Sequence, residues 1–349
     1  IRDLKETGIY THMITDHYHY WEVGGYGYLN QYNSMEMIRG QQGDLWIPFV
    51  GQVDYPPNLS KRAGSDNFNH DWVNRQVVKS KDDLPTAKVF AKGLDFLEEN
   101  HGKDDWFLTM ESFSPHEPFF TTEDFLSLYP EEDSEQLMDW PDYGKNNLSP
   151  EITEQVVRKY RAMISMVDFY LGKVLDCFDK YNLWDDTALI VYTDHGFLLG
   201  EHECLGKNIM SPYEELTHLP FFMHDPRYPA PGTRVEGLAQ SLSLAPTIAD
   251  LFSISAPKGC INNSLKELYK DGIQQFDSLI FGVFGAQIGI TDGRYILFKS
   301  PKEECKGQLY NYTLSPQHMR WYFSPDELKE AELVEVKLYN SEDTETQNL

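Results

Sequence analysis

A long amphipathic helix pattern that leads directly into an apolar strand constrains the fold of this chain more than any other feature. Ser149 is a helix-capping residue, Pro150 suits the first helical position, and apolar residues then recur every three or four positions as far as Phe178. Residues 188–192 follow and read Ala-Leu-Ile-Val-Tyr, which predicts a strand buried on both faces. Helices that alternate with buried strands are typical of an α/β layer fold.

Similar strand and helix patterns alternate along the rest of the chain. Strands are predicted at 11–15, 106–110, 219–223 and 279–284, helices at 84–99, 244–252 and 325–335, and a hairpin at 288–298. We therefore predict a mixed, largely parallel sheet sandwiched by helices over residues 1–285. A small α+β subdomain is predicted over residues 286–349, where the strands become short and hairpin-like.

Net charge and hydropathy exclude some classes of partner. The chain has 55 acidic and 30 basic residues, a formal net charge of −25, so its overall field repels nucleic acid and anionic membranes. No run of about 18 apolar residues is present, so no membrane span is predicted. Ile1 has no initiator Met before it, and the first residues read as the interior of a helix, so we expect natural N-terminal residues to precede it.

Candidate site residues follow three of the predicted strands. They are the His17 and His19 segment, the loop that contains His116, and the turn that contains Asp194 and His195. Ligands of α/β sheets collect at the carboxyl ends of strands, so these residues are expected to converge. Residues 200–207 have no helical or strand periodicity, and we expect an irregular loop to carry Lys207 to the same sheet edge.

Several motifs, taken in order, resemble the sulfatase family of the alkaline phosphatase superfamily. They are the segment from Tyr192 to Lys207, Tyr-Glu-Glu at 213–215, Ser-Pro-His-Glu-Pro-Phe at 114–119, Leu-Ala-Pro-Thr at 244–247 and Thr-Asp-Gly-Arg-Tyr at 291–295, with Leu-Tyr-Asn at 338–340 near the end of the chain. The resemblance covers nearly the whole chain and implies an alkaline phosphatase-like fold and sulfuric ester hydrolysis.

The resemblance also implies roles for single residues. Asp194 and His195 are expected to bind a divalent cation, Ca²⁺ in this family. His116 and Lys207 are expected to bind the sulfate oxygens and to act in catalysis. A cation, an ammonium group and an imidazole suit this chemistry because negative charge moves to oxygen atoms as the S–O bond breaks.

The family's Gly-Lys-x-His motif can be placed here in two ways. A gapless alignment of residues 8–11 with the family's Gly-Tyr-x-Thr puts Asp16 and Tyr18 at the Lys and His positions. A shift of one residue puts His17 and His19 there instead, with the same spacing. We favour His17 and His19 as the catalytic pair, because imidazoles donate hydrogen bonds to sulfate and a carboxylate does not.

The family's nucleophile, a formylglycine made from Cys or Ser in a Cys/Ser-x-Pro-x-Arg motif, has no counterpart in this sequence, and neither does its N-terminal pair of Asp ligands. We expect both upstream of Ile1. The chain alone is therefore expected to leave sulfate esters intact and to bind calcium weakly, because calcium prefers six or more oxygen ligands. The missing N-terminal segment, or another copy of the chain, is expected to cover an exposed sheet edge.

The expected substrate is a sulfated glycan or an aryl sulfate. The alternatives are a phosphoester or phosphonate monoester hydrolase of the same superfamily and a non-catalytic binding descendant. The motif that supplies the nucleophile would distinguish a sulfatase from a phosphoester or phosphonate monoester hydrolase. The resemblance favours a periplasmic or secreted protein.

Overall fold

The computed structural model describes residues 1–22, 29–60, 67–130, 136–283 and 285–302, together with Asp326 and Lys329. The chain divides into two compact units. The first comprises Ile1–Tyr18 and Tyr28–Leu309, and the second comprises His19–Gly27 and Tyr310–Leu349. The elements below belong to the first unit, except for one short helix. The predicted helix at 325–335 and the motif at 338–340 lie outside the described residues, apart from Asp326 and Lys329.

Helices and strands alternate in the order that the sequence predicts. Within the described ranges the α-helices are α1 (Arg2–Glu6), α2 (His19–Glu22, in the second unit), α3 (Asn67–Arg75), α4 (Pro85–Asn100), α5 (Glu123–Leu126), α6 (Pro150–Tyr181), α7 (Glu214–Thr217), α8 (Leu244–Leu251) and α9 (Lys266–Asp271). The strands there are β1 (Tyr10–Thr15), β2 (Ser34–Met37), β3 (Trp106–Glu111), β4 (Gly144–Lys145), β5 (Leu189–Tyr192), β6 (Leu198–Leu199), β7 (Cys204–Gly206), β8 (Phe221–His224), β9 (Leu279–Gly282), β10 (Ile288–Thr291) and β11 (Ile296–Lys299). Short 3₁₀ turns lie at Leu29–Gln31, Lys81–Asp83, Leu183–Asp185, Glu201–Glu203 and Ser241–Ser243.

The helix α6 is the longest described element and begins as the sequence predicts. The Ser149 side chain accepts a hydrogen bond from the backbone N–H of Ile152, which caps the first turn. Pro150 occupies the first helical position, and Asn182 ends the helix in a left-handed conformation. At 32 residues, α6 is ~48 Å long, which is enough to pack along the whole sheet.

The main hydrophobic core lies between α4, α6 and the strands β3 and β5. Its buried members are joined by partly buried side chains of those strands, among them Trp106, Leu108, Met110 and Leu189. A second apolar cluster, of Phe119, Met138, Ile152, Val156 and Met163, packs the start of α6 against the loop after β3. This packing fixes the loop that carries His116.

The described strands form one parallel sheet and three antiparallel ones. The parallel sheet has the order β2-β1-β3, and Thr15 lies opposite Glu111 at its carboxyl edge. The antiparallel sheets have the orders β5-β8, β4-β7-β6 and β11-β10-β9. The predicted hairpin at 288–298 is confirmed as the pair β10 and β11. The sheet that contains it also includes β9, so it joins strands on both sides of residue 285, and the predicted subdomain boundary there stays a prediction.

Two sequence-based expectations are wrong in detail. The strand β5 is not buried on both faces, because its residues are only partly buried and Tyr192 is 57% exposed. Residues 200–207 are not an irregular loop throughout, because β7 lies within them and pairs with β4 on one side and β6 on the other. Strands of two or three residues are too short to show a period in the sequence, which is why the pattern is missed.

No described helix is both long enough and apolar enough to cross a lipid bilayer.

Candidate active site

The ends of β1 and β3 bring Thr15, His17 and Glu111 together. The Thr15 hydroxyl donates to Glu111 Oε2 at 2.8 Å, and His17 Nδ1 lies 3.3 Å from Glu111 Oε1. The backbone N–H of His17 donates to Thr15 Oγ1 at 2.9 Å. The parallel register makes this possible, because it places the last residues of the two strands side by side. His17 is therefore held at the sheet edge by a carboxylate that is itself hydrogen-bonded.

Asp16 and Tyr18, the gapless alternatives to the two histidines, have structural contacts. Asp16 is fully buried, and its Oδ1 accepts a hydrogen bond from the backbone N–H of Phe113 at 2.6 Å. Burial raises the pKa of the Asp16 carboxyl to about 7. Tyr18 is also buried, and its hydroxyl donates to Gln42 Oε1 at 3.1 Å. His19 is the first residue of α2 and belongs to the second unit.

The aromatic ring of Phe113 links the first strand end to the His116 loop. The Phe113 ring centroid lies 4.9 Å from that of His17 and 4.1 Å from that of His116. Both histidine rings are tilted relative to the Phe113 ring. His116 Nδ1 lies 2.6 Å from the backbone carbonyl of Glu117. A carbonyl only accepts, so Nδ1 carries the proton in this bond.

The carboxylate of Glu117 is the buried centre of the His116 loop. Its side chain is 1% exposed, and Oε2 lies 3.4 Å from His116 Nδ1 and 3.9 Å from Lys207 Nζ. The Tyr143 hydroxyl donates to Oε1. The small sheet β4-β7-β6 positions two residues that contact Glu117, since Tyr143 directly precedes β4 and Lys207 directly follows β7.

Lys207 is a buried cation at the centre of the cluster. The residue is only 6% exposed, in contrast to the solvated surface position that is usual for lysine. Its Nζ lies 3.4 Å from His195 Nε2. Gly206 has φ +99°, and a Cβ there would lie 2.5 Å from the Tyr143 ring. A glycine is therefore required just before Lys207 for the backbone to pass Tyr143.

The turn after β5 carries Asp194 and His195. Asp194 is largely exposed and its Oδ1 accepts the backbone N–H of His195 at 2.9 Å, while His195 Nδ1 donates to the Gly196 carbonyl at 2.9 Å. A Cβ on Gly196 would overlap the carbonyl oxygen of Glu215. Only glycine fits there, and its N–H bonds to the Leu216 carbonyl at 3.0 Å.

The geometry of Asp194 and His195 suits a cation between their side chains. Because His195 Nδ1 carries the proton of its bond to Gly196, Nε2 is a lone-pair nitrogen in the neutral ring. That nitrogen lies 3.2 Å from Asp194 Oδ2, so two acceptor atoms point towards each other. An oxygen and an imidazole nitrogen are ordinary ligands of a divalent ion. Among the described residues, no group of three or more His, Cys, Asp or Glu side chains is arranged to hold a metal, so these two fit as part of a coordination shell.

Five of the residues singled out from the sequence therefore lie in one continuous set of contacts. His17 connects through Phe113 to His116, His116 through Glu117 to Lys207, and Lys207 to His195 beside Asp194. Glu111, Phe113 and Tyr143 complete this cluster but are not identified from the sequence. The acidic Glu117 between His116 and Pro118 is the one signal that the sequence offers, because an acidic residue is unexpected in an anion-binding loop.

A family model described as Sulfatase matches residues 4–254 of this chain. An arylsulfatase of Clostridium perfringens is 26% identical over 281 residues, which cover 74% of this chain and 58% of that protein. The chain spans about half the length of the curated relatives it matches.

Solved structures show the same fold. A phosphonate monoester hydrolase of Agrobacterium radiobacter has a TM-score of 0.54 at 19% identity, with 63% of this chain and 53% of that chain covered. A protein solved with its substrate D-glucosamine-2-N,6-O-disulfate has a TM-score of 0.50 at 17% identity, with 61% and 60% covered. These likenesses support the predicted alkaline phosphatase-like α/β fold.

Proposed function

Because this chain belongs to the sulfatase family, we propose that it contributes the substrate-binding part of a sulfuric ester hydrolase site. The observation that carries this proposal is the buried Lys207 ammonium, which directly follows β7 and lies 3.9 Å from Glu117 Oε2 and 3.4 Å from His195 Nε2. A buried ammonium with three donors is suited to a tetrahedral anion.

Lys207 and His116 are proposed to bind the sulfate oxygens. Both side chains are largely buried and both contact Glu117, which restricts their orientation before a substrate arrives. Groups fixed in this way stabilise developing negative charge without reorganising during the reaction. His17, held by Glu111 at 3.3 Å, is proposed as a catalytic imidazole that exchanges a proton at the reacting ester, and His19 is retained as its proposed partner in the family's Lys-x-His positions.

Asp194 and His195 are proposed to hold a divalent cation, which sulfatases generally use, and Ca²⁺ is the proposed ion. When bound, the cation would supply electrostatic stabilisation to the sulfate oxygens. Asp194 contributes a carboxylate that is 78% exposed and His195 a nitrogen 3.2 Å away. A formylglycine nucleophile is likewise proposed for the protein as a whole.

The proposed substrates are aryl sulfates and sulfated glycans. One relative of this chain is named an arylsulfatase, and one protein of the same fold was solved with D-glucosamine-2-N,6-O-disulfate. Both compounds present a tetrahedral sulfate group with a net negative charge. Such a group suits a pocket that holds Lys207 and His116 in fixed positions.

Binding of a small sulfate ester tests this proposal on the chain itself. We expect the chain to bind methyl sulfate in calorimetric titrations, and we expect Lys207→Met to weaken binding by about tenfold or more because it removes the central cation. Glu98→Gln is the matched control, because Glu98 is exposed and pairs with Lys180 instead. Equal affinity of Lys207→Met and the unmodified chain would contradict the proposal.

Hydrolysis of a phosphonate monoester is the second candidate function. A phosphonate monoester hydrolase shares the fold, and one relative, 24% identical over 283 residues, is named a multifunctional alkaline phosphatase superfamily protein. Initial rates on 4-nitrophenyl sulfate and on 4-nitrophenyl phenylphosphonate separate the two functions, since the larger kcat/KM identifies the preferred ester. Loss of both activities from the whole protein would favour a non-catalytic binding role.

A further inference from the structure

The pocket proposed to bind an anion contains a buried carboxylate. Glu117 is 1% exposed, its Oε2 lies 3.4 Å from His116 Nδ1, and it makes an ion pair with Lys207 at 3.9 Å. The Tyr143 hydroxyl donates to its other oxygen, so the carboxylate is fixed from two sides. A carboxylate in this position reduces the attraction that the Lys207 ammonium exerts on an incoming anion.

The effect of Glu117 depends on how much charge the ligand carries. A sulfate monoester and a phosphonate monoester each carry one negative charge, whereas a phosphate monoester carries two above its second pKa of about 6. Glu117 therefore repels two charges on the phosphate monoester but only one on each of the other two esters. The other acidic groups at this sheet edge, Asp16, Glu111 and Asp194, are unchanged in the Glu117 variants, so their repulsion does not alter the comparison between those variants.

We propose that Glu117 makes this site selective for singly charged esters, sulfate or phosphonate, over doubly charged phosphate monoesters. The inference rests on the proposed function, because it assigns Lys207 and His116 to the ester oxygens. It goes further in naming ligand charge, and not the central atom, as the property that the pocket selects.

The size of the effect follows from the distance between Glu117 and the ligand. An ester oxygen bonded to Lys207 Nζ at about 3 Å lies at most about 7 Å from Glu117 Oε2, because Nζ and Oε2 are 3.9 Å apart. One extra charge at that distance costs a factor of about 3 in affinity at the dielectric constant of water and about 50 at the value typical of partly buried pairs. We therefore expect Glu117 to contribute about tenfold to the preference for a singly charged ester.

Three small esters measure this preference without requiring turnover. Methyl sulfate, methyl methylphosphonate and methyl phosphate have nearly the same size, and at about pH 8 only methyl phosphate is doubly charged. Their dissociation constants are measured by calorimetry for the unmodified chain, for Glu117→Gln and for Glu117→Asp. Glu98→Gln removes the same charge from an exposed position and is the control for overall electrostatics.

We expect Glu117→Gln to improve binding of methyl phosphate relative to methyl sulfate by about tenfold, and we expect Glu117→Asp and Glu98→Gln to leave this ratio close to its original value. Methyl methylphosphonate should follow methyl sulfate in every variant. Glu117→Met provides a second test if Glu117→Gln lacks a cooperative thermal transition, because it removes the same charge without burying an amide group that needs hydrogen-bond partners of its own.

Three kinds of result would overturn the inference. If both singly charged esters bind through Lys207 but the ratio is unchanged in Glu117→Gln, the charge-selection role is wrong and the proposed function stands. The same holds if methyl methylphosphonate follows methyl phosphate. If no ester binds, or if binding does not depend on Lys207, the proposed function fails and the inference fails with it.

Discussion

Replacement of Asp16 by Asn is expected to change how the stability of the protein depends on pH. Asp16 is fully buried directly after β1, and its Oδ1 accepts the Phe113 backbone N–H at 2.6 Å. Burial raises the pKa of this carboxyl to about 7, and the nearby charge of Glu111 acts in the same direction, while the hydrogen bond from Phe113 opposes them. Asn has nearly the same shape and keeps the acceptor oxygen, but it has no proton to lose.

The sign of the effect follows from the two protonation states. In the unfolded chain an Asp loses its proton near its ordinary pKa of about 3.9, whereas folded Asp16 keeps its proton until about pH 7. Between these values the folded state binds more protons, so the free energy of unfolding falls as pH rises. The loss is about 1.4 kcal/mol for each pH unit, or about 3 kcal/mol between about pH 5 and pH 8.

Guanidinium unfolding followed by circular dichroism measures this effect directly. The free energy of unfolding of Asp16→Asn minus that of the unmodified protein should increase by about 3 kcal/mol over this pH range. Asp83→Asn is a control, because hydrogen bonds from the Lys79 and Ser80 backbones hold the pKa of the exposed Asp83 below its ordinary value. Asp83 is ionised in both the folded and unfolded states above about pH 5. The free energy of unfolding of Asp83→Asn minus that of the unmodified protein should therefore be the same at every pH in this range. A constant difference for Asp16→Asn as well would refute the reasoning.

Three further substitutions test the packing around the site, each by guanidinium unfolding. Gly196→Ala should lower the free energy of unfolding by about 2 kcal/mol, because its Cβ would overlap the Glu215 carbonyl, and a loss below about 0.5 kcal/mol would contradict this. Ser149→Ala should cost about 1 kcal/mol through loss of the α6 cap, whereas Ser149→Asp should restore the cap. Met163→Ala should cost about 3 kcal/mol, since Met163 is 1% exposed in a packed cluster, and Met163→Leu should cost less.

Local signals in the sequence predict the main helices and strands well. The helix α6 begins at Pro150 after the Ser149 cap, and α4 begins at Pro85, because capping and proline act within a single turn. The strands β1 and β3 likewise lie within a residue of their predicted ends. These features depend on neighbouring residues only.

Burial and the shortest strands are not predictable in the same way. The apolar run in β5 predicts a fully buried strand, but Tyr192 is 57% exposed, and among the described strands β5 pairs with β8 alone. The strands β6 and β7 have two and three residues and exist because they pair with each other and with β4. Pairing partners that are distant in the chain decide such features, and a local pattern does not contain them.

Some features of the candidate site are likewise predictable from the sequence, and others depend on the tertiary structure. The order of the motifs alone identifies the family, and the resemblance predicts roles for His116, Lys207, Asp194 and His195, because residue types suited to chemistry are visible in a sequence. The contacts of Glu117 depend on the register of a small sheet formed by residues 144–145, 198–199 and 204–206, which brings Lys207 and Tyr143 to the buried carboxylate.

The difference in burial and contacts between Asp16 and His17 is likewise visible only in the fold. Both residues directly follow β1, and no property of the sequence shows which of them is buried. In the structure Asp16 is enclosed and bonded to the Phe113 backbone, while His17 contacts Glu111 from the adjacent strand. The sequence determines which groups are available for chemistry, and the tertiary structure decides which of them meet, because contact, burial and local charge arise from residues that are far apart in the chain.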